Sequence, residues 1–228
     1  MSGIFFRSKV SASRLFRFTG IAALLTVLAF MASASPPVVQ WFQGFEVDNV
    51  WHSSPALDPV RVPSGTGGVT SKTGAFHAEV ALGNATNWGG YNSVFPTNGY
   101  TTSVDIYLDM AGGWANDKRF DWSSAINNPG GTHRRDFIFN GGYYTDGTAP
   151  GSGPRFVFSA SNTTLGWPKD PARGPVAVNV TGWYTMRHTF LPGPGGVLIV
   201  KLELIAPSGV VAGTWSLSDP TDIIGGTV

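Results

Sequence analysis

Apolar and polar side chains alternate along most of the sequence that follows residue 34. The clearest run is residues 100–110. Its apolar side consists of Val104, Ile106, Leu108 and Met110, and its polar side of Ser103, Asp105, Tyr107 and Asp109. A period of two is typical of a strand with one face on the core and the other on solvent or ligand. No segment after residue 34 sustains the 3.6-residue apolar period of an amphipathic helix.

Similar short runs, separated by glycine, proline, asparagine and serine, predict further strands. They cover residues 38–45, 60–62, 68–70, 75–81, 119–122, 134–140, 155–160, 183–190, 197–205 and 213–217. Many short strands between turn residues predict an all-β fold, an antiparallel sandwich or barrel, in one domain spanning residues 35–228. Residues 219–228 are predicted to form a loop rather than a closing strand, which suggests a C-terminally truncated chain.

Residues 1–34 have the pattern of a secretory signal peptide. Arg7, Lys9 and further arginines precede an apolar run at 21–31, and Ala32-Ser33-Ala34 forms a small-x-small cleavage pattern. A membrane anchor needs about 20 apolar residues, and this run is shorter. We therefore expect a secreted, extracellular or periplasmic protein without a membrane anchor after cleavage.

Charge and cysteine content exclude several classes of function. The first 34 residues carry four of the 15 Lys and Arg and no acidic residue, so 11 basic residues remain against 14 acidic ones, a net charge of −3. This balance argues against nucleic acid or an anionic membrane as a partner. The absence of cysteine excludes disulfides, zinc–thiolate sites and thiol catalysis.

Residues 119–140 concentrate charged and polar groups in a predicted hairpin. Two alternating runs flank a turn that contains Asn127, Asn128, Pro129, Gly130 and Gly131. Ligand-binding side chains are predicted here and at two further positions: Arg119, Asp121, Trp122, His133, Arg134 and Asp136, with Trp88 and Tyr107. The alternative is structural, because interleaved Arg and Asp often form cross-strand ion pairs.

Several motifs resemble a known group of folds. Gly44-Phe45-Glu46 with nearby Trp51 is followed by a Gly-rich turn at 64–68, a strand at 74–80 and Trp88-Gly-Gly-Tyr91. This order resembles the concanavalin A-like (laminin G-like) jelly-roll domains of secreted bacterial proteins. The resemblance implies an antiparallel jelly-roll β-sandwich, and most such sandwiches bind or cut polysaccharide, so it implies a polysaccharide or glycan as partner.

The same resemblance implies a structural calcium ion. In many of these domains the Glu after Gly-Phe is a calcium ligand, a role that would fall here on Glu46 with Asp48 as a neighbour. Asp219 and Asp222 are the C-terminal candidates. Calcium takes six to eight oxygen ligands. The alternative is a Glu46 carboxylate that pairs with a surface amide or lysine.

Carbohydrate binding without catalysis is the leading functional hypothesis. Sugars offer hydroxyls to Asp, Asn and Arg and apolar ring faces to aromatic side chains. Aromatic residues lie in or beside loop-like segments at Trp88, Tyr91, Trp114, Trp122, Tyr143, Tyr144 and Trp167.

Two other classes remain open. The first is a polysaccharide-degrading enzyme, either a glycoside hydrolase that pairs Glu79 with Asp105 or Asp121, or a lyase with His77 as one candidate base. Further lyase candidates are Tyr107, His133, Arg134 and Arg135. The second class is a structural or adhesion module of the cell envelope.

Overall fold

The computed structural model describes residues 42–47, 59–81 and 94–228. Ten strands make up nearly half of these residues, and helical structure within them is limited to short 3-10 turns. The strands are β1 (Val60–Pro63), β2 (Phe76–Glu79), β3 (Tyr100–Leu108), β4 (Lys118–Asn127), β5 (His133–Tyr144), β6 (Arg155–Asn162), β7 (Val176–Val178), β8 (Gly182–Pro192), β9 (Leu198–Ile205) and β10 (Val211–Ser216). The predicted signal peptide, Asp48, Trp51, Trp88 and Tyr91 lie outside the described residues.

The strands form two four-stranded sheets and one small hairpin. The front sheet has the order β4-β5-β6-β7 and the back sheet the order β10-β9-β8-β3, while β1 pairs with β2. Every pairing between these strands is antiparallel. The predicted all-β, antiparallel sandwich-like architecture is confirmed for the described part of the chain.

A single apolar cluster lies between the front and back sheets. Phe137 and Phe139 from β5 are fully buried in it, and so are Met186 from β8 and Leu202 from β9. The inward positions of β3 are the apolar ones that alternation predicts, and Asp105 lies on the exposed side. Period two therefore assigns the two faces of β3 correctly.

His188 is a polar residue inside this core. Its Nε2 lies 2.9 Å from the Phe137 carbonyl oxygen, and its Nδ1 lies 3.3 Å from Ser124 Oγ and 3.5 Å from Thr102 Oγ1. Because a carbonyl only accepts, Nε2 carries the proton and Nδ1 accepts from one of the two hydroxyls, which also hydrogen-bond each other. His188 on β8 thereby joins the back sheet to the front sheet.

The predicted hairpin at residues 119–140 is present as β4 and β5. Asp121 pairs across the strands with Asn140, and Arg119 pairs with Gly142. In the connecting turn the Gly131 amide donates to the Asn128 carbonyl at 2.9 Å. This register places the Arg119 and Asp121 side chains on the outer face of the front sheet.

Three predicted elements differ from the structure. Residues 68–70 are not a strand, because Gly65, Gly67 and Gly68 have positive φ angles of 96°, 59° and 80° and turn the backbone. Residues 42–45 of the predicted first strand are not extended into a sheet, and the rest of that strand lies outside the described residues. The short β7 was not predicted.

The C-terminal segment is a series of turns, as predicted. It forms one isolated bridge between Val197 and Ile223. The side chains of Ile224 and Val228 nevertheless pack on the core, so this segment contributes to the sandwich interior.

Candidate functional site

The predicted site residues do not share one face of the sandwich. Arg119 and Asp121 lie on the outer face of the front sheet, whereas Asp105 and Tyr107 lie on the outer face of the back sheet. The core separates these two faces. The two alternative partners predicted for Glu79, Asp105 and Asp121, therefore lie on opposite faces of the sandwich.

On the back sheet, His77 and Tyr107 take part in packing. His77 is buried, with Nδ1 3.1 Å from Ser71 Oγ and its ring edge-on to Trp183 at 6.3 Å. Tyr107 also contacts Trp183, at 5.4 Å between ring centroids. The Trp183 indole donates to the Thr70 carbonyl at 2.8 Å. These contacts hold the β1–β2 hairpin against the back sheet.

Asp105 and Glu79, the two carboxylates predicted for catalysis on this side, are both exposed. Asp105 accepts a hydrogen bond from Thr185 Oγ1 on the adjacent β8. Glu79 is exposed at the end of β2, across from Val60.

At the turn end of the hairpin, the predicted ligand-binding residues contact each other and the C-terminal segment. His133 Nε2 lies 3.1 Å from Asp136 Oδ2, and Arg134 contacts Asp222 at 3.0 Å. Arg135 contacts Asp222 at 2.9 Å. Because the Asp222 side chain is only 1% exposed, the arginine pair ties the C-terminal segment to the start of β5.

Two charged residues, Arg119 and Asp121, alternate along the start of β4 on the front face, and Asp117 lies just before the strand. Arg119 donates from Nε and Nη2 to the two carboxylate oxygens of Asp117, at 2.7 Å each. This guanidinium lowers the pKa of Asp117, and burial opposes the change. Asp121, two residues beyond Arg119, is exposed and has no ion pair or hydrogen bond to any described side chain.

The environment of Asp121 differs from that of Asp117. The protein surrounding its strand reduces hydration of the carboxyl and raises the pKa of Asp121 to about 6, while Arg119 opposes this shift. Solvent still reaches the side chain, so the shift reflects the mass of nearby protein and not complete burial. Asp121 is therefore an anion at neutral pH that gains a proton under mildly acidic conditions.

Tyr144 extends back over Gly142 on the same face. A Cβ atom at Gly142 would lie 3.0 Å from the Tyr144 hydroxyl oxygen and 3.2 Å from Pro168 Cγ. Since Gly142 is the cross-strand partner of Arg119, the hydroxyl lies beside the charged row of β4.

The Tyr144 hydroxyl is buried without a hydrogen-bond partner. Only 2% of the residue is exposed, and no described atom meets hydrogen-bond geometry with the hydroxyl oxygen. Burial, followed by the nearby Asp117 carboxylate, raises the pKa of Tyr144 above its usual range. The side chains of Asp117, Arg119 and Trp167 lie close enough to this hydroxyl to act on it electrostatically, although none reaches hydrogen-bond geometry.

A loop covers the middle of the front face and ends in an exposed tryptophan. The Gly166 amide donates to Asn140 Oδ1 at 2.7 Å, and Ser159 Oγ donates to the Trp167 carbonyl at 3.2 Å. The Trp167 side chain stays 45% exposed and is close enough to affect the pKa of the Tyr144 hydroxyl.

Buried cations fix the next part of this loop. Lys169 lies 4.6 Å above the Tyr144 ring and binds Asp146 at 2.9 Å. Arg155, only 1% exposed, binds Asp146 at 3.0 Å and donates to several backbone carbonyls. These ion pairs and hydrogen bonds hold the backbone around Lys169 in place against the front sheet.

We call this group the front-face site: Asp117, Arg119, Asp121, Asn140, Tyr144 and Trp167. It contains two of the ligand-binding residues that were predicted, Arg119 and Asp121. Trp122 points to the other side of β4 and packs against the core. His133, Arg134 and Asp136 lie near the turn, and Trp88 lies outside the described residues. Asp117 precedes β4 and has a positive φ angle of 64°, so strand alternation in the sequence does not identify it.

The predicted calcium ligands are only partly described. Glu46 Oε1 accepts from the amides of Ala75 and Phe76 at 2.9 and 3.3 Å, the amide pairing that was the alternative interpretation. Asp219 and Asp222 bind arginines. Within 42–47, 59–81 and 94–228, no three His, Asp or Glu residues form a group that could hold a metal ion.

No protein-family model, curated protein or solved structure matches this chain. In the described ranges, no helix has the length and apolarity needed to cross a membrane. Functional inference consequently depends on the front-face site itself.

Proposed function

We propose that this chain is an exported carbohydrate-binding module that contacts a polysaccharide through the front-face site. The observation that carries the proposal is the combination of an exposed Trp167 with Asp121, which has no partner among the described residues. The finer assignment to the concanavalin A-like jelly rolls is part of this proposal and depends on the resemblance of the N-terminal motifs.

The site offers the two kinds of contact that sugars use. Asp121 provides an exposed carboxylate that has no hydrogen-bond partner among the described residues. Trp167 provides an apolar ring for the face of a sugar. Trp167 takes the stacking role that the sequence suggested for Trp122 or Trp88, since Trp122 packs inward.

Binding of the purified protein to a panel of neutral and acidic polysaccharides tests this proposal. We expect at least one polymer to bind, and Trp167→Ala to weaken binding by about tenfold, as for an aromatic anchor of an interface. The matched control is Trp114→Ala, because Trp114 is also an exposed loop tryptophan but lies outside the front-face site. Absence of binding to every polymer, or equal effects of the two substitutions, would contradict the proposal.

A glycoside hydrolase is the second candidate. Its support is the opposite shift of two pKa values on one face, raised for Asp121 and lowered for Asp117, a pattern typical of an acid and its partner carboxylate. Against it, both oxygens of Asp117 are held by Arg119. New reducing ends that disappear with Asp121→Asn would establish the hydrolase.

The remaining alternatives have their own outcomes. Unsaturated uronate products that disappear with His77→Ala and persist with Asp121→Asn would favour a lyase. A protein silent in every binding and activity assay would favour a structural or adhesion module.

Calcium at Glu46 and Asp48 remains a further proposal from the resemblance. Of these two residues only Glu46 is described, and its Oε1 accepts hydrogen bonds from backbone amides. If calcium is structural, EDTA will lower the unfolding temperature and added Ca²⁺ will restore it. If neither EDTA nor Ca²⁺ changes the unfolding temperature, the protein has no structural calcium ion.

A further inference from the structure

We propose that an extended peptide carrying a carboxylate binds along β10 and adds a strand to the back sheet. The site lies at the side of the sandwich, between β10 and the end of β6. The proposal goes beyond glycan binding and does not depend on it, because it uses no residue of the front-face site.

The free edge of β10 presents a defined set of backbone groups. The Leu217 amide donates to the Val200 carbonyl at 3.1 Å, so the backbone of Leu217 points toward β9. Because the backbone groups of successive strand residues point in opposite directions, those of Thr214 and Ser216 point away from β9. Among the described strands, only β9 pairs with β10. The N–H and C=O groups of Thr214 and Ser216 are therefore available to an added strand.

This edge lacks the features that protect edge strands from pairing. Residues 211–216 contain no charged residue and no proline, and the bulge in this strand ends at Gly213. At the edges of the front sheet, by contrast, β4 begins with Lys118 and Arg119, and the three-residue β7 follows Pro175. Charge, proline and short length are common means by which proteins prevent pairing at an edge. The second half of β10 is therefore open to a further strand.

A groove of about 410 Å³ lies beside β10 and offers space for side chains of the added strand. Its walls include residues 214–217 of and after β10 and residues 160–162 at the end of β6. The end of β6 faces the groove because β7 pairs with β6 only at residues 156–158. In an added strand, alternate side chains point into such a groove, and these side chains determine which peptides bind.

Arg173 is the one charged residue in the described lining of the groove. Its Nε donates to Asp170 at 2.9 Å, and its Nη1 donates to the Ala160 carbonyl at 3.3 Å. The side chain is 31% exposed, and Nη2 has no hydrogen-bond partner among the described residues. A guanidinium has five N–H donors and suits the geometry of a carboxylate. The groove therefore favours a peptide that brings a carboxylate to Arg173.

The same charge argues against a second copy of this chain as the occupant. Two β10 strands would supply hydrogen bonds to each other, but residues 211–216 contain no carboxylate that would meet Arg173. A different polypeptide, with an Asp or Glu in an extended segment or with a free C-terminus, provides both the backbone pairing and the charge.

Fluorescence anisotropy with short synthetic peptides tests the proposal on the purified protein. The probe is a labelled, end-capped peptide of alternating Thr and Val with a central Glu. Two comparison peptides carry Gln or Lys in place of this Glu. We expect the Glu peptide to bind at least about fivefold more tightly than either of them. A third comparison peptide, with the central Gln and a free C-terminal carboxylate, distinguishes a side-chain carboxylate from a chain end as the group that Arg173 binds.

Hydrogen exchange of the backbone amides tests strand addition itself. The amides of Thr214 and Ser216 should exchange slowly only when the Glu peptide is bound. Those of Trp215 and Leu217 point toward β9 and should be protected in the free protein as well. Unchanged exchange at Thr214 and Ser216 in the bound protein would overturn the proposal.

Two substitutions separate the backbone pairing from the charge. Ser216→Pro removes an N–H that points away from the sheet, so it should weaken binding at least about tenfold in a protein that stays folded by urea unfolding. Arg173→Gln should abolish the preference for Glu over Gln. Arg187→Gln is the matched control, because Arg187 is also a partly exposed arginine in an ion pair, with Glu203, but does not line the groove. The control should bind like the unsubstituted protein.

The other outcomes overturn the proposal in distinct ways. A preference for Glu that survives Arg173→Gln would place the carboxylate elsewhere. A dimer in light scattering, with Thr214 and Ser216 protected in the absence of peptide, would show that a second copy occupies the edge. Absence of binding by all four peptides would show that the edge takes no peptide. None of these results affects the proposed glycan binding, which the polysaccharide panel tests separately.

Discussion

His188 has a neutral ring in the core, which makes stability depend on pH. Burial lowers the pKa of His188 to about 4, with the hydrogen bond to Phe137 opposing the shift. The unfolded histidine titrates near its ordinary pKa of about 6.5. The unfolded state therefore binds more protons between these two values, and the stability that the neutral His188 contributes is lost progressively as pH falls through this window.

We predict that His188 reduces the free energy of unfolding by about 3 kcal/mol between pH 6.5 and pH 4. Urea unfolding across this window measures the effect. His188→Phe should be less stable at pH 7, because it leaves the Phe137 carbonyl without its donor, but its stability should depend less steeply on pH. Equal slopes for the two proteins would show that His188 does not carry the acid sensitivity.

Gly142 is a second residue with a specific steric requirement. A methyl group there meets the Tyr144 ring at 2.9 Å and Pro168 at 3.2 Å. Gly142→Ala must therefore displace the Tyr144 side chain. We expect a loss of about 1–3 kcal/mol in unfolding free energy, together with weaker glycan binding. Gly147→Ala is the control, because a Cβ at Gly147 meets no atom within 4 Å. Similar unfolding midpoints for both variants would contradict this packing.

At the scale of elements, the loop that covers the front face depends on Asn140. Its side chain is fully buried and accepts from the Gly166 amide at 2.7 Å, while its Nδ2 donates to Ser161 at 3.0 Å. We predict that Asn140→Ala costs about 1–3 kcal/mol and speeds hydrogen exchange at residues 164–167. The exposed Asn179→Ala serves as control. Unchanged exchange in the loop would show that other contacts hold it.

The C-terminal segment depends on a different element, the start of β5. Asp222 is 1% exposed and binds Arg134 and Arg135. Arg135 would keep its ion pair with Asp219 and Arg134 is partly exposed, so Asp222→Ala should cost about 1–3 kcal/mol, the range for lost hydrogen bonds to charged groups. Glycan affinity of the folded protein should not change, because this network lies at the turn end of the hairpin. A stability close to that of the unsubstituted protein in urea unfolding would refute this tether.

The local pattern of the sequence predicts elements better than it predicts their assembly. Alternation at Val104, Ile106 and Leu108 places β3 correctly, and the Asn-Pro-Gly turn places the hairpin. Alternation also puts Arg119 and Asp121 on one face. Glycines with positive φ angles, as at Gly65, break an extended run that the residue types alone suggest.

At the scale of the whole molecule, strand order decides which polar faces meet. Sequence does not specify that β3 pairs with β8 and that β4 begins the other sheet, so it cannot separate Asp105 from Asp121. Nor does it show that residues 163–173 fold back over the front sheet. That long-range contact joins Trp167 to Tyr144, residues that alternation alone does not connect.

The sandwich therefore presents two outer faces with different roles. The back face is partly covered by the β1–β2 hairpin through His77 and Trp183. The front face keeps Asp121 and Trp167 accessible above a buried Tyr144 hydroxyl. This contrast leads us to place ligand binding on the front face.

Amide NMR during titration with the tightest-binding oligosaccharide tests this placement most directly. We predict that the signals of residues 117–121, 140–144 and 166–167 shift together as ligand is added. Shifts centred on the back-sheet pair Tyr107 and Trp183, with the front-face signals unmoved, would contradict it.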